Sequence, residues 1–216
     1  MNTNNHTPTN PPSVLASLRG LVPDRRTSFT EALRVAETQA ARLRFLTDTD
    51  SLEFPEDAIT DLPRIRVRRR TLPMSGMSYW NGQEWVIALN NREPEARQRF
   101  TLLHEYKHIL DHGRATQLYL GTARHDSATQ AEQAADYFAG CALMPKALVK
   151  RLWGQGIQRP DQLAQQFGVS ERAIEVRLAQ LGLTEPTPRC QHQPLRRQTR
   201  PKRYYRNNSS RLEVVA

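Results

Sequence analysis

Apolar residues recur at three- and four-residue intervals over several segments of the chain, which is the spacing of one face of a helix. The clearest example is residues 28–46, where Ser28 and Glu31 also have the spacing of a capping box at a helix start. Further helices are predicted from near Pro94 to Gly113, over 127–144, and in two parts joined at Gly168 over 159–183.

Three short segments between the first two of these helices have strand character instead: 64–70, 77–80 and 84–90. Asn81 and Gly82 lie between the last two, and this dipeptide is a strong hairpin signal. Arginines alternate with apolar residues in the first segment, which favours a solvated strand face over a phosphate-binding stripe. The pattern predicts the α+β class with a small, mostly antiparallel sheet.

Both ends of the chain are predicted to be disordered tails, because residues 1–27 start with a polar, proline-rich run and residues 186–216 are basic with few aliphatic side chains. Most of the net charge of +9 lies in the C-terminal tail, where a single acidic residue follows Pro188. This tail, with Tyr204 and Tyr205, suits weak contact with nucleic acid or an acidic partner. A solvated segment that aids solubility explains it equally well.

The two cysteines, Cys141 and Cys190, are too far apart in sequence to suggest a metal-binding pair. Such sparse cysteine use is typical of a reducing compartment. No apolar run reaches the length that a bilayer span needs, and the N-terminus lacks a charged segment followed by an apolar one. We therefore expect a cytoplasmic protein that makes no membrane contact.

The segment "HEYKHILDH" carries the clearest chemical signal. His104 and His108 are four residues apart, so on a helix both imidazoles face one side and can bind one ion. Glu105 lies on a neighbouring side, where it can act as general base towards a zinc-activated water. His112 would lie about 12 Å along the axis from His104, too far to share its ion, and is predicted to end the helix. The alternative is a helix whose histidines only form hydrogen bonds or face solvent.

Glu132, on the alanine-rich helix that follows, is the candidate third metal ligand. A carboxylate on a closely packed second helix completes a His, His, Glu set and leaves one position for water. Asp136, one turn further along the same face, can accept the free N–H of a liganding histidine. The alternatives are a capping box formed by Thr129 and Glu132, and an Asp136 that is merely solvated. Because both carboxylates follow H-E-x-x-H in this order, the sequence favours the zinc site over these alternatives.

The group that would stabilise the transition-state oxyanion is not singled out by the sequence. Four residues are close in sequence to the motif: Tyr106, Tyr119, His125 and Tyr137. Tyr106 is the least suitable, because it projects from roughly the opposite side of the helix from His104.

The segments "RQRFTLLHEYKHILDH" and "EQAADYFAGCALMP" resemble the ImmA/IrrE family of zinc metallopeptidases. In that family an Arg-Phe helix with H-E-x-x-H precedes an E-x-x-A-(N/D)-x-F-A helix that ends in Met-Pro. The resemblance covers about residues 30–183. It implies a zincin-like helical bundle, zinc at His104, His108 and Glu132, and Glu105 as the catalytic base.

The resemblance also implies a partner and a role. Characterised members cleave helix-turn-helix transcriptional repressors, often encoded beside them, and so switch on stress, mobile-element or phage genes. This implies a protein substrate, with an extended segment paired against the exposed edge of the sheet. The chain departs from the family pattern at Tyr106 and Lys107, where many members have Leu-Gly, and in its basic tail.

Residues 163–178 also resemble a helix-turn-helix, with Gly168 at the turn. The second helix is predicted to expose Arg177 together with Glu171 and Glu175, and these carboxylates would repel phosphates. We favour a helical subdomain packed on the peptidase. The rival function is a DNA-binding regulator or antitoxin-like protein that uses this module and the basic tail, with an inactive metal site.

The predicted organisation therefore has four parts. A disordered N-terminal tail (1–27) precedes a zincin-like metallopeptidase domain (28–145), in which the sheet packs on the helical bundle. A helix-turn-helix-like helical subdomain (146–185) and a basic disordered tail (186–216) follow.

Overall fold

A computed structural model describes residues 12–184 of the chain. The predicted C-terminal tail, residues 186–216, and the first 11 residues lie outside this range. The described part is a mixed α and β structure with the following elements: α1 Val14–Arg19, α2 Phe29–Leu46, α3 Asp57–Thr60, β1 Ile65–Arg70, β2 Gly76–Trp80, β3 Trp85–Asn90, α4 Glu95–Asp111, α5 Ala115–Leu118, α6 Ser127–Leu143, α7 Lys146–Gly154, α8 Pro160–Phe167 and α9 Glu171–Gln180.

Helix α6 packs against both of the other long helices, α2 and α4. Its buried face is made largely of alanine, including Ala134, Ala135 and Ala139, each fully buried. Side chains this small let neighbouring helix backbones approach closely, so residues of α4 and α6 can meet across a short distance. The predicted cap of α2 is confirmed, since Ser28 Oγ accepts the backbone N–H of Glu31.

The three strands form one sheet in the order β1-β3-β2. Strands β2 and β3 form the predicted antiparallel hairpin, in which the Asn81 side chain accepts the backbone N–H groups of Gln83 and Glu84. Strand β1, however, pairs with β3 in parallel. The sheet is therefore mixed rather than mostly antiparallel as the sequence indicated. Local turn signals identify a hairpin, whereas the pairing of β1 depends on burying Ile65 beside the central strand.

One face of the sheet packs against α4. Gly76 of β2 shows how close this packing is, because a Cβ at this position would lie 2.5 Å from Thr101 Cγ2 and 3.0 Å from Ala88 O. Only a residue without a side chain fits there. The edge strand β2 is thereby held against the helix that carries H-E-x-x-H.

The prediction of a disordered tail over residues 1–27 is wrong for helix α1. Ser13 caps this helix, and Leu18 is fully buried in the main core. Gln39 Nε2 donates to Leu18 O at 3.0 Å, and Arg19 Nη2 donates to Ile109 O at 2.7 Å. The polar, proline-rich run before this short helix gave no indication of it. The helix is stabilised by contacts with α2 and α4 rather than by local propensity.

Helices α8 and α9 lie where the sequence predicts them, with Gly168 in the left-handed region at φ 61° and Ser170 capping α9. Their apolar residues belong to the same core as α4 and α6. Arg177, predicted to face solvent, is buried at 1% exposure and donates from Nε to Met144 O at 3.0 Å. That prediction is wrong because a tertiary contact, invisible to helical periodicity, satisfies the guanidinium.

A buried polar network lies beneath α4, on the side of the helix where the family pattern has Leu-Gly. Lys107 is fully buried, and its Nζ donates to Gln39 Oε1 at 2.8 Å and to Asp111 Oδ1 at 2.5 Å. Tyr119 donates its hydroxyl to Asp111 Oδ2 at 2.5 Å. Burial lowers the pKa of Lys107, and the neighbouring Asp111 charge opposes that shift. These hydrogen bonds compensate the two buried charges and tie α4 to α2.

Candidate metal centre

The two histidines of H-E-x-x-H converge on one side of α4. His104 Nε2 and His108 Nε2 lie 3.1 Å apart, and their ring centroids are separated by 4.8 Å. Both side chains are largely buried, with 14% and 15% of their surface exposed. The helical spacing thus directs two imidazole nitrogens to one point, as the sequence predicts.

Glu132 of α6 lies beside both imidazoles. Its Oε2 is 3.5 Å from His104 Nε2, and its Oε1 is 3.4 Å from His108 Nε2. The alternative interpretation as a capping box is wrong, because Asp126 caps α6 by accepting the Thr129 N–H at 2.7 Å. Glu132 therefore lies inside the helix, where its side chain is placed by the packing of α6 on α4.

Asp136 contacts the other nitrogen of the first histidine. Its Oδ1 lies 2.8 Å from His104 Nδ1, so the imidazole N–H donates to the carboxylate. The Asp136 side chain is 63% exposed and therefore also meets solvent. In the neutral ring, a proton held on Nδ1 leaves the Nε2 lone pair directed towards His108 and Glu132, which is the tautomer that a metal ligand needs.

This donor set fits zinc. Tetrahedral ligands at about 2.1 Å from a zinc ion lie about 3.5 Å from one another. The separations between these nitrogen and carboxylate atoms, from 3.1 to 3.5 Å, match that value. The donor atoms of His104, His108 and Glu132 all fall within 4.8 Å of one another, a grouping compatible with a metal ion.

The electrostatics of the cluster favour positive charge. Burial lowers the pKa of His104, but its hydrogen bonds to Asp136 and Glu132 outweigh burial and raise the pKa to about 9. The charge of Glu105 acts in the same direction. Carboxylates that stabilise a protonated imidazole also stabilise a cation placed between the same groups.

Glu105 is buried at 3% exposure and contacts the edge strand of the sheet. Ser78 of β2 donates its hydroxyl to Glu105 Oε2 at 2.9 Å. Gly76, two residues earlier on β2, approaches the same side chain, since a Cβ there would lie 3.5 Å from Glu105 Cγ. Sequence reasoning missed Ser78, because no local pattern signals a contact between a strand and a helix 27 residues away.

His112 is the C-cap of α4, so the prediction that it ends the helix is confirmed. Its ring packs edge-on against Trp85, with centroids 4.9 Å apart.

Three of the four candidates for oxyanion stabilisation have contacts elsewhere. Tyr106 is fully buried beside Phe138, and burial raises its pKa. The Tyr119 hydroxyl belongs to the network beneath α4, and that of Tyr137 donates to Glu37 Oε2 at 3.3 Å. The fourth, His125, is exposed in the loop before α6.

Residues 64–179, just over half of the chain, match the peptidase M78 family, described as the IrrE N-terminal-like domain. The chain belongs to this family. The M78 match runs from the start of the sheet into α9 and includes the histidines and carboxylates described above. The resemblance drawn from H-E-x-x-H and the alanine-rich helix is thereby confirmed. The family to which the chain belongs is one of metallopeptidases.

Among solved structures, the M78 chain is similar to a Mycobacterium tuberculosis transcriptional regulator, with a TM-score of 0.54 and 18% sequence identity. The similarity covers 82% of this chain and 54% of that one, so the chain spans about half the length of this relative. At this identity the likeness shows a shared fold. No curated protein matches the sequence. Within residues 12–184, no helix combines the length and apolar character needed to cross a membrane.

Proposed function

We propose that the protein is a zinc-dependent endopeptidase that hydrolyses a peptide bond in a protein substrate. The observation that carries this proposal is the convergence of His104, His108 and Glu132 beside a buried Glu105. Three donors with room for a fourth ligand are typical of catalytic rather than structural zinc sites. A structural zinc site needs no general base, so the presence of Glu105 also favours a catalytic site.

The chain's own residues have separate roles in this reaction. When bound, zinc supplies Lewis acidity, which acidifies water and polarises a carbonyl oxygen. A carboxylate oxygen of Glu105 accepts a proton from the attacking water, and Glu105 then delivers this proton to the leaving amine. Ser78 holds Glu105 Oε2, which restricts the rotation of the carboxylate. Asp136 keeps the His104 ring in its orientation.

The proposed substrate is a helix-turn-helix transcriptional repressor in the cytoplasm, whose cleavage would switch on stress, mobile-element or phage genes. Membership of the M78 family supports a protein substrate. The exposed strand β2, which lies beside Glu105, is suited to pairing with an extended segment of that substrate.

The rival function, DNA recognition through α8 and α9, has little support from the second helix. Arg177 is buried, and Arg172 pairs with Glu175 at 2.9 Å. The exposed surface of α9 therefore offers no unpaired arginine among the described residues. Phosphate contacts need such cations.

Metal content and cleavage test the proposal together. We expect about one zinc per purified wild-type chain by elemental analysis, and a large loss in His104→Ala and Glu132→Ala. Asp126→Ala is the matched control on α6, because it removes a helix cap and no metal donor. Wild type without bound metal, or an unchanged content in Glu132→Ala, would contradict the proposed site.

The second measurement follows cleavage of a candidate helix-turn-helix repressor. We expect Glu105→Gln to bind zinc like wild type and to cleave at least about 100-fold more slowly, since it loses the general base. Equal cleavage by the two proteins would rule out the assigned role of Glu105.

A further inference from the structure

The sheet has a second face, opposite the one that packs on α4. Strand alternation places Arg66, Arg68 and Arg70 of β1 on this outer face, since Ile65 and Val67 point towards the core. The registers with β3 and β2 then place Met77 and Tyr79 on the same face. We call these five residues the arginine face.

The arginines of this face differ from their neighbour Arg69. Arg69 points to the α4 side, where it pairs with Glu56 and donates from Nε to Gln98 Oε1 at 3.0 Å. On the arginine face, Arg66 pairs with Glu84. No carboxylate of residues 12–184 forms an ion pair with Arg68 or Arg70. The hydrogen bond from Arg66 lowers the pKa of Glu84 most and the Arg68 charge adds to this effect, so this carboxylate is near Arg68 without forming an ion pair with it. Arg68 and Arg70 are thus the two cationic side chains of this face that can pair with an outside partner.

The remaining side chains supply an apolar and aromatic surface. Arg70 Nη2 reaches Met77 Sδ at 3.7 Å, so it extends across the central strand towards β2. Tyr79 is 38% exposed on that side of the sheet. Through Val86 of the central strand, Tyr79 lies in the same cross-strand row as Arg66. The face thus carries both an aromatic ring and guanidinium groups, and each can stack on planar bases.

The spacing and the type of cation both suit a phosphate chain. Alternate residues of a strand lie about 6.6 Å apart, so the arginines form a regular row along β1. All three are arginine, whose planar fork binds phosphate in a bidentate manner and stacks on rings, unlike the compact lysine ammonium. A row of positive charge with an aromatic ring on the same face is the arrangement that sequence-tolerant single-strand binders use.

We infer that the arginine face binds single-stranded nucleic acid, with Arg68 and Arg70 on phosphates and Tyr79 stacked on a base. This activity is separate from peptide hydrolysis, because the face lies on the side of the sheet away from Glu105. An acidic polypeptide offers the same charge but lacks planar bases for Tyr79.

The test measures binding of full-length protein to a fluorescent 20-nucleotide single strand over a range of salt concentrations. For single strands, the slope of log affinity against log salt changes by about 0.7 per phosphate contact. The double variant Arg68→Gln/Arg70→Gln is therefore expected to bind more weakly, with a slope shallower by about 1.4. Tyr79→Ala is expected to weaken single-strand binding about fivefold or more and to leave duplex binding unchanged.

The matched control is Arg34→Gln/Arg42→Gln, which removes the same charge from exposed positions of α2. It is expected to keep the wild-type slope, and thermal unfolding would verify that all variants are folded. Equal slope changes in the control and the β1 variant would overturn the inference. So would an unaffected Tyr79→Ala, or competition by poly-glutamate as effective, charge for charge, as that by the oligonucleotide.

Discussion

The two ring nitrogens of His104 face two carboxylates of the same neighbouring helix. Nδ1 lies 2.8 Å from Asp136, and Nε2 lies 3.5 Å from Glu132. Because Glu132 and Asp136 are four residues apart, they lie one helix turn apart on the same face of α6, and each carboxylate faces one nitrogen of the His104 ring. The packing of α6 on α4 therefore sets both the position and the tautomer of this histidine.

Removing the Asp136 carboxylate should weaken metal binding without abolishing it. We expect Asp136→Ala to lower zinc affinity about 10- to 100-fold, because His104 loses the acceptor that orients it. Asp136→Asn keeps an acceptor oxygen and should lose less. Competition with a chromogenic chelator measures both affinities. Equal affinity in Asp136→Ala and wild type would show that this contact is a solvated surface interaction.

The buried lysine of α4 should be important for stability rather than for metal binding. We expect Lys107→Met to lower the free energy of unfolding by about 3 kcal/mol, because Asp111 stays buried with its cationic partner gone. The double variant Lys107→Met/Asp111→Leu, which removes both charges, should recover part of the loss. Urea denaturation checks this. A single variant as stable as wild type would mean that the ion pair only offsets its own desolvation.

The contact between β2 and α4 should depend on Gly76. We expect Gly76→Ala to cost about 1–3 kcal/mol, since the added Cβ would overlap Thr101 Cγ2 and approach Ala88 O. Thr101→Ser removes the overlapping methyl, so the double variant should regain part of the stability. Denaturant midpoints measure these values, and repressor cleavage reports whether Glu105 has moved. Full stability of Gly76→Ala would show that β2 can shift away from α4.

Much of the local structure was predictable because its causes are local. Capping by Ser28, the hairpin at Asn81 and the left-handed turn at Gly168 each depend on a few adjacent residues. The geometry of an α-helix likewise places His104 and His108 on one side whatever surrounds them. These features therefore followed from residue spacing alone.

Other features depend on which segments meet in three dimensions. Four of them depend on contacts between residues that are distant in sequence. They are the parallel pairing of β1 with β3, the order of α1, the burial of Lys107 and the hydrogen bond from Ser78 to Glu105. Their energies come from burial and long-range hydrogen bonds, which periodicity does not encode. The sequence by itself thus determined the histidine pair and the carboxylates that could join it. Only the packing of α6 on α4 decided that Glu132 and Asp136 contact these histidines, and only the packing of β2 on α4 decided that Ser78 contacts Glu105.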